Sequence, residues 1–291
     1  QHREVARPSR ARRAAGLVAV LIMIAGAGAC SPGLNASPRP LATRADALEP
    51  HFEVRLPEGA RGPVPAALFF SGCGGVRQVQ SDYAEAATEA GFAAVIVDSH
   101  GARGIGRTAA RLQVCTALRL WGQARAADVF AAIALARADA RLDADRLYLV
   151  GWSHGGWTLL DALSYVADGQ TPPGLEALPA EPLSGVAEAL VVYPYCGRIT
   201  RIDEAALPEA PPVFAILAQN DYIASPEACE VILAREKAAG APVEWVLRPG
   251  LTHAFDAPDQ PPDPRMAYDA EAAAQARALF VARMRARVGA P

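Results

Sequence analysis

Excess charge of either sign is missing from this sequence: 28 Lys and Arg stand against 31 Asp and Glu, a formal net charge of −3. Without a clustered basic face there is no electrostatic footprint for nucleic acid, and none is expected as a partner. Membrane-spanning length is missing too. The apolar run at residues 15–29, "AGLVAVLIMIAGAGA", falls short of the ~20 residues that a transmembrane helix requires. Histidine and cysteine are scarce, five of each, and no group of them has the ligand spacing of a zinc site. Neither a metal nor a cofactor is expected. What remains, 52% hydrophobic and 20% charged residues over 291 positions, is a globular composition with ample material for a core.

The first fifty residues differ from the rest. A basic head (Arg3, Arg7, Arg10, Arg12, Arg13) precedes the apolar run, which fits the h-region of a secretory signal peptide. The run ends Ala27-Gly28-Ala29-Cys30, which resembles a bacterial lipobox, with alanine where leucine is commoner. The expectation is a signal peptide over 1–29 and an acylated Cys30, giving an exported protein held in the periplasm or cell envelope. That lipid anchor would be its sole membrane contact. Residues 31–50, "SPGLNASPRPLATRADALEP", carry four prolines and little periodicity, so 30–50 reads as the anchor cysteine and a disordered tether.

The body, 51–291, alternates two patterns. Short apolar runs at 52–57, 66–70, 92–98, 147–151, 189–194, 213–218 and 243–248 read as strands, most of them continuous enough to be covered on both faces. Helical patterns fill 80–90, 119–139, 155–167, 226–239 and 266–287. No internal repeat is visible. The alternation predicts one α/β domain with a mostly parallel, doubly wound sheet and helices on both faces. Ligands in such sheets sit at the carboxyl ends of the strands.

Gly151-Trp152-Ser153-His154-Gly155 falls at such an end. A Gly-x-Ser-x-Gly match alone arises by chance in roughly a tenth of chains this long. Its context is more specific: "LYLV" before it and "GWTLLDALSYV" after it supply the strand-to-helix turn that exposes a nucleophile. A serine needs a base and an orienting acid. Four histidines lie in the body, His51, His100, His154 and His253, and His253 follows the last strand. Asp221 follows the strand before it, and the order Ser153, Asp221, His253 is the one the α/β-hydrolase fold requires. Asp256 follows His253 too closely to be the usual orienter. The backbone N–H groups of His154 and of Cys73, in Ser71-Gly72-Cys73-Gly74-Gly75, are the candidate oxyanion donors. Gly72, Gly74 and Trp152 are expected beside the substrate. Arg103, in the glycine-rich loop "DSHGARGIG", is either a substrate contact or a solvated charge; Gly101, Gly104 and Gly106 lack dinucleotide-binding spacing.

Taken together, "SGCGG", "VIVDSHGARG", "DADRLYLVGWSHGG", "NDYIASPEAC" and "LTHAFD" resemble the dienelactone hydrolase family of α/β-hydrolases, from about Phe52 to the C-terminal helix. Dienelactone hydrolase itself carries a cysteine at the elbow, so Ser153 is more similar to the family's esterase-type members. The resemblance implies hydrolysis of small-molecule esters; dienelactone itself is not supported, because its carboxylate-binding arginines cannot be mapped. Two alternatives remain: a peptidase of the prolyl-peptidase kind, and a non-catalytic surface lipoprotein that keeps the fold. With Cys30 set aside, Cys73, Cys115, Cys196 and Cys229 allow three disulfide pairings. Cys73–Cys115 with Cys196–Cys229 is expected, each joining loops on the carboxyl side of the sheet. Residues 168–188 read as a small covering loop. Oligomeric state is not specified.

Overall fold

The computed structural model describes residues 36–208 and 211–289. The proposed signal peptide and Cys30 lie outside the described residues. Seven strands form a sheet: β1 (Phe52–Arg55), β2 (Val64–Phe70), β3 (Ala93–Val97), β4 (Leu142–Trp152), β5 (Val186–Val192), β6 (Val213–Ala218) and β7 (Val243–Arg248). Their order is β1-β3-β2-β4-β5-β6-β7, with β1 antiparallel to β3 and every other pair parallel. Each of the seven coincides with a run read from the sequence.

The continuous apolar runs have the expected cause. In β2, Ala66, Leu68 and Phe70 face one buried layer, and Ala67 and Phe69 face the other. On the first side lie α1 (Leu41–Leu48), α3 (Gly122–Ala138), α4 (His154–Ala167) and α5 (Pro226–Ala238); on the second lie α2 (Gln78–Glu89) and α6 (Ala270–Val288). A strand covered on both faces has no polar side to present, so its sequence does not alternate. Helix ends follow local rules. Ser225 Oγ accepts from the Ala228 N–H ahead of Pro226 at the start of α5, and Asp269 caps α6 through the Ala272 N–H. Both satisfy donors that have no partner inside the helix.

Two expectations need correction. The tether is shorter than 30–50: Leu41–Leu48 forms α1, and Ala45 and Leu48 are buried in the same core layer as α3. The strand-like pairing of Arg39 with Leu175 fixes its approach. Proline masked this helix, because Pro40 reads as a breaker yet sits at the helix start, where it breaks no hydrogen bond. The segment 168–185 is not a cover for the site. It links the end of α4 to β5 and packs along α1 and α3, where the Gly174 carbonyl accepts from the Arg39 N–H (3.3 Å) and Arg44 Nη2 (3.3 Å). Arg137 of α3 likewise donates to the Glu181 carbonyl.

Candidate active site

Three loops at the carboxyl edge of the sheet converge. Ser153 follows β4 directly, with φ 50° and ψ −112°, a left-handed conformation that a non-glycine residue adopts at a cost. The glycines around it make this crossing possible. A Cβ on Gly155 would stand 1.9 Å from the Phe70 carbonyl oxygen, and one on Gly151 would stand 2.5 Å from the Gly155 oxygen. No side chain fits at either place. The hydroxyl is thereby lifted clear of the sheet, and Ser153 remains partly exposed while Trp152 and His154 on either side are buried.

His253, past β7, places Nε2 2.9 Å from Ser153 Oγ and Nδ1 2.6 Å from Asp221 Oδ2. Asp221, past β6, is held in turn: its Oδ1 accepts from the backbone N–H groups of Ile223 and Ala224, both at 2.8 Å. Both acid and imidazole are buried. Since Asp221 is acceptor-only when ionised, His253 carries its hydrogen on Nδ1, which leaves Nε2 free to accept from the hydroxyl. This hydrogen-bond chain can move a proton off Ser153 without moving a heavy atom.

The chain opens into a cleft of about 320 Å³. Gly72, Cys73 and Gly74 form one wall, and Trp152, Tyr193 and Ile223 form others. A Cβ on Gly72 would lie 3.6 Å from Ser153 Cβ, an ordinary contact distance, so this backbone runs beside Ser153. Further out, the loop from Gln260 to Met266 and Arg111 border the opening. Ser153, Tyr193 and Ala254 all line this cleft with positive φ. Such strain gathers where a function holds it in place.

The structure brings Ser153, Asp221, His253, Cys73, Gly72, Gly74 and Trp152 together. It does not bring Arg103 with them. That guanidinium forms a two-pronged pair with buried Asp128 (2.7 and 2.9 Å) and donates to the Ser99 carbonyl, so Arg103 stays out of the cleft around Ser153. Both expected disulfides are present, Cys73–Cys115 and Cys196–Cys229. The first ties the glycine-rich loop to the irregular turns at Ala110–Val114; the second ties the segment after β5 to α5.

Other contributors escape a sequence reading. Asp256 is fully buried and accepts from Tyr83 Oη (2.9 Å), Tyr193 Oη (2.5 Å) and Trp152 Nε1 (3.3 Å). Burial pushes its carboxyl up, while the three donors pull it down. The Tyr193 ring lies 4.8 Å from that of His253, so this network braces the imidazole from behind. Asp256 is therefore a supporting group, not the partner of His253. His100, three residues past β3, donates from Nε2 to the Cys73 carbonyl (3.1 Å). Burial, then the nearby Arg125 charge, lowers it to about 3, so it is neutral at ordinary pH.

Similarity to known proteins agrees with the fold. Residues 79–167, which take in all but the first residue of α2 together with β3, α3, β4, Ser153 and α4, match the prolyl oligopeptidase family. No curated protein matches the chain. Among solved structures, a putative dienelactone hydrolase from Klebsiella pneumoniae subsp. pneumoniae superposes with a TM-score of 0.62 at 17% identity, covering 80% of this chain and 91% of that one. A dienelactone hydrolase-like promiscuous phosphotriesterase, P91, from metagenomic libraries gives 0.58 at 18% identity, covering 82% and 92%. Thermogutta terrifontis esterase 2, phosphonylated by cyclosarin, gives 0.58 at 17%, covering 82% and 89%. The chain has the dienelactone hydrolase-like α/β-hydrolase fold.

Proposed function

We propose that the protein is a serine carboxylesterase for small soluble esters. The observation that carries this reading is the hydrogen-bond chain from Ser153 Oγ through His253 to Asp221, opening on a cleft sized for a small molecule. Ser153 Oγ attacks the ester carbonyl carbon while His253 Nε2 takes its proton. The oxygen that gains the charge is received by the backbone N–H groups of His154 and Cys73. Collapse of this intermediate breaks the bond to the alcohol, which leaves with the proton from His253, and the acyl group stays on Ser153. His253 then takes a proton from a water whose oxygen attacks the acyl carbon; the bond to Ser153 Oγ breaks, and His253 returns the proton to that oxygen as the acid leaves. Asp221 accepts from Nδ1 throughout, which reserves Nε2 for taking and returning the proton. The structural relatives named esterases, and the absence of a covering helical cap among the described residues, support small esters as substrates.

The match to the prolyl oligopeptidase family supports peptide hydrolysis as the second reading. Stopped-flow hydrolysis of p-nitrophenyl acetate and butyrate, beside a proline-p-nitroanilide, separates the two. An ester burst equal to the enzyme concentration, absent in Ser153→Ala, is expected. Turnover of the anilide alone would favour the peptidase, and silence toward both would favour a non-catalytic lipoprotein.

We place the protein outside the cytoplasm, since two disulfides suit an oxidising compartment. Anchoring through an acylated Cys30 belongs to the same proposal. Incorporation of labelled palmitate in the bacterial host that is lost in Cys30→Ser tests it, and no incorporation in the parent chain would contradict it.

A further inference from the structure

Arg125, in the first turn of α3, is fully buried. Among the described residues no carboxylate lies within ion-pair distance of it; Asp128, the nearest acid in sequence, is committed to Arg103. A buried cation without a paired anion is costly, and an apolar side chain would serve stability better. Its contacts indicate what it serves instead. Nη1 donates to the Ser71 carbonyl (2.7 Å) and to His154 Nδ1 (3.2 Å), and Nη2 donates to Ser71 Oγ (3.3 Å).

The tautomer of His154 makes the second contact possible. Its Nε2 faces the Leu120 carbonyl at 2.8 Å and must carry the hydrogen, so Nδ1 is bare and accepts from the guanidinium. Burial and the Arg125 charge hold this ring neutral, its pKa well below the usual histidine range. One cation therefore joins the residue after the nucleophile to the loop that faces it. The Gly72–Cys73 peptide, which carries the Cys73 N–H, lies between two peptides whose carbonyls are pinned, Ser71 to Arg125 and Cys73 to His100.

We infer that Arg125 is a positioning residue of the oxyanion hole, locking its two halves together and setting a fixed positive charge behind them. The inference rests on the serine-esterase reading above. Donors and charges fixed in place before the reaction, in a site of low dielectric, stabilise the transition state more than the ground state. Burial lowers the Arg125 guanidinium to about 10, so it remains charged at neutral pH.

The test uses the full oxidised chain and p-nitrophenyl butyrate, with Arg125→Met, Arg125→Lys and His154→Leu. Arg125→Met is expected to lower kcat about 100-fold with KM changed less than threefold. Affinity for a boronic acid that forms a tetrahedral adduct on Ser153 should fall in parallel with kcat. Arg125→Lys, which keeps the charge, should recover at least tenfold of the loss. His154→Leu removes the second anchor and leaves the cation in place; about a tenfold loss in kcat is expected, which tests the idea even if Arg125→Met does not fold. A folded Arg125→Met with kcat within threefold of the parent, or a folded Arg125→Lys no faster than Arg125→Met, overturns the inference while leaving the esterase reading intact. A raised KM and a weakened boronate affinity with unchanged kcat also overturn it. A parent chain without ester turnover overturns both.

Discussion

Asp221→Asn exchanges one carboxylate oxygen for an NH₂ group, and the hydrogen bonds around Asp221 dictate the outcome. Oδ1 accepts two backbone N–H groups, from Ile223 and Ala224, which have no other role to take up. An asparagine must give them its oxygen, which turns its NH₂ toward His253 Nδ1. That nitrogen then has to accept, so the hydrogen moves to Nε2, and the base facing Ser153 is gone. Restoring the working tautomer means turning the amide over and leaving two N–H groups unmet, the buried one of Ala224 at about 1–3 kcal/mol and that of the exposed Ile223 at less. The total of about 1–4 kcal/mol corresponds to a kcat loss of roughly 5-fold to 10³-fold. Asp221 does not line the cleft, so KM should stay within threefold. The assay is initial-rate hydrolysis of p-nitrophenyl butyrate, with folding checked by circular dichroism. A folded variant retaining more than a third of parental kcat would refute the reasoning.

Three further perturbations have defined outcomes. Removing Cys196 and Cys229 together, as alanines, opens a loop of 33 residues; chain entropy predicts a loss of about 3–4 kcal/mol, read as a lowered Tm, and an unchanged Tm would count against it. Gly155→Ala forces a Cβ to within 1.9 Å of the Phe70 carbonyl oxygen; loss of ester turnover and a destabilisation above about 2 kcal/mol are expected, since backbone on both sides must shift. Full activity there would show that the elbow is looser than described. His100 has a folded pKa near 3, below its unfolded value of about 6.5. The unfolded chain therefore binds the extra proton between those values, and stability falls as pH drops from 6.5 toward 3. In His100→Gln that contribution disappears, so the slope of unfolding free energy against pH should flatten by up to about 1.4 kcal/mol per unit. Identical slopes in urea melts at pH 4.5, 5.5 and 6.5 would contradict it.

Legibility followed the physics of each signal. The seven strands could be read because strands covered on both faces must be apolar along their whole length, a pattern local to each run. Ser153, Asp221 and His253 could be placed because each stands immediately past a strand, so their proximity follows from topology. Arg103 misled for the opposite reason. Its loop follows β3 at the right edge of the sheet, but the partner that turns it away, Asp128, sits on a helix 25 residues on. Arg125, His100 and Asp256 were hidden in the same manner. Each acts through contacts made by tertiary packing, with sequence separations of 54, 27 and up to 173 residues, and no local pattern announces such contacts. The helix Leu41–Leu48 was missed because its eight residues are too few to set up a period and its flanks are rich in proline.

Whether Ser153 is an activated nucleophile is the claim on which the account depends. Incubation of the full oxidised chain with a fluorophosphonate, read by intact mass with Ser153→Ala in parallel, tests it most directly. The account predicts one adduct on the parent chain and none on the variant. A folded, fully oxidised parent chain that gains no mass would contradict it, as would an adduct that persists when Ser153 is gone.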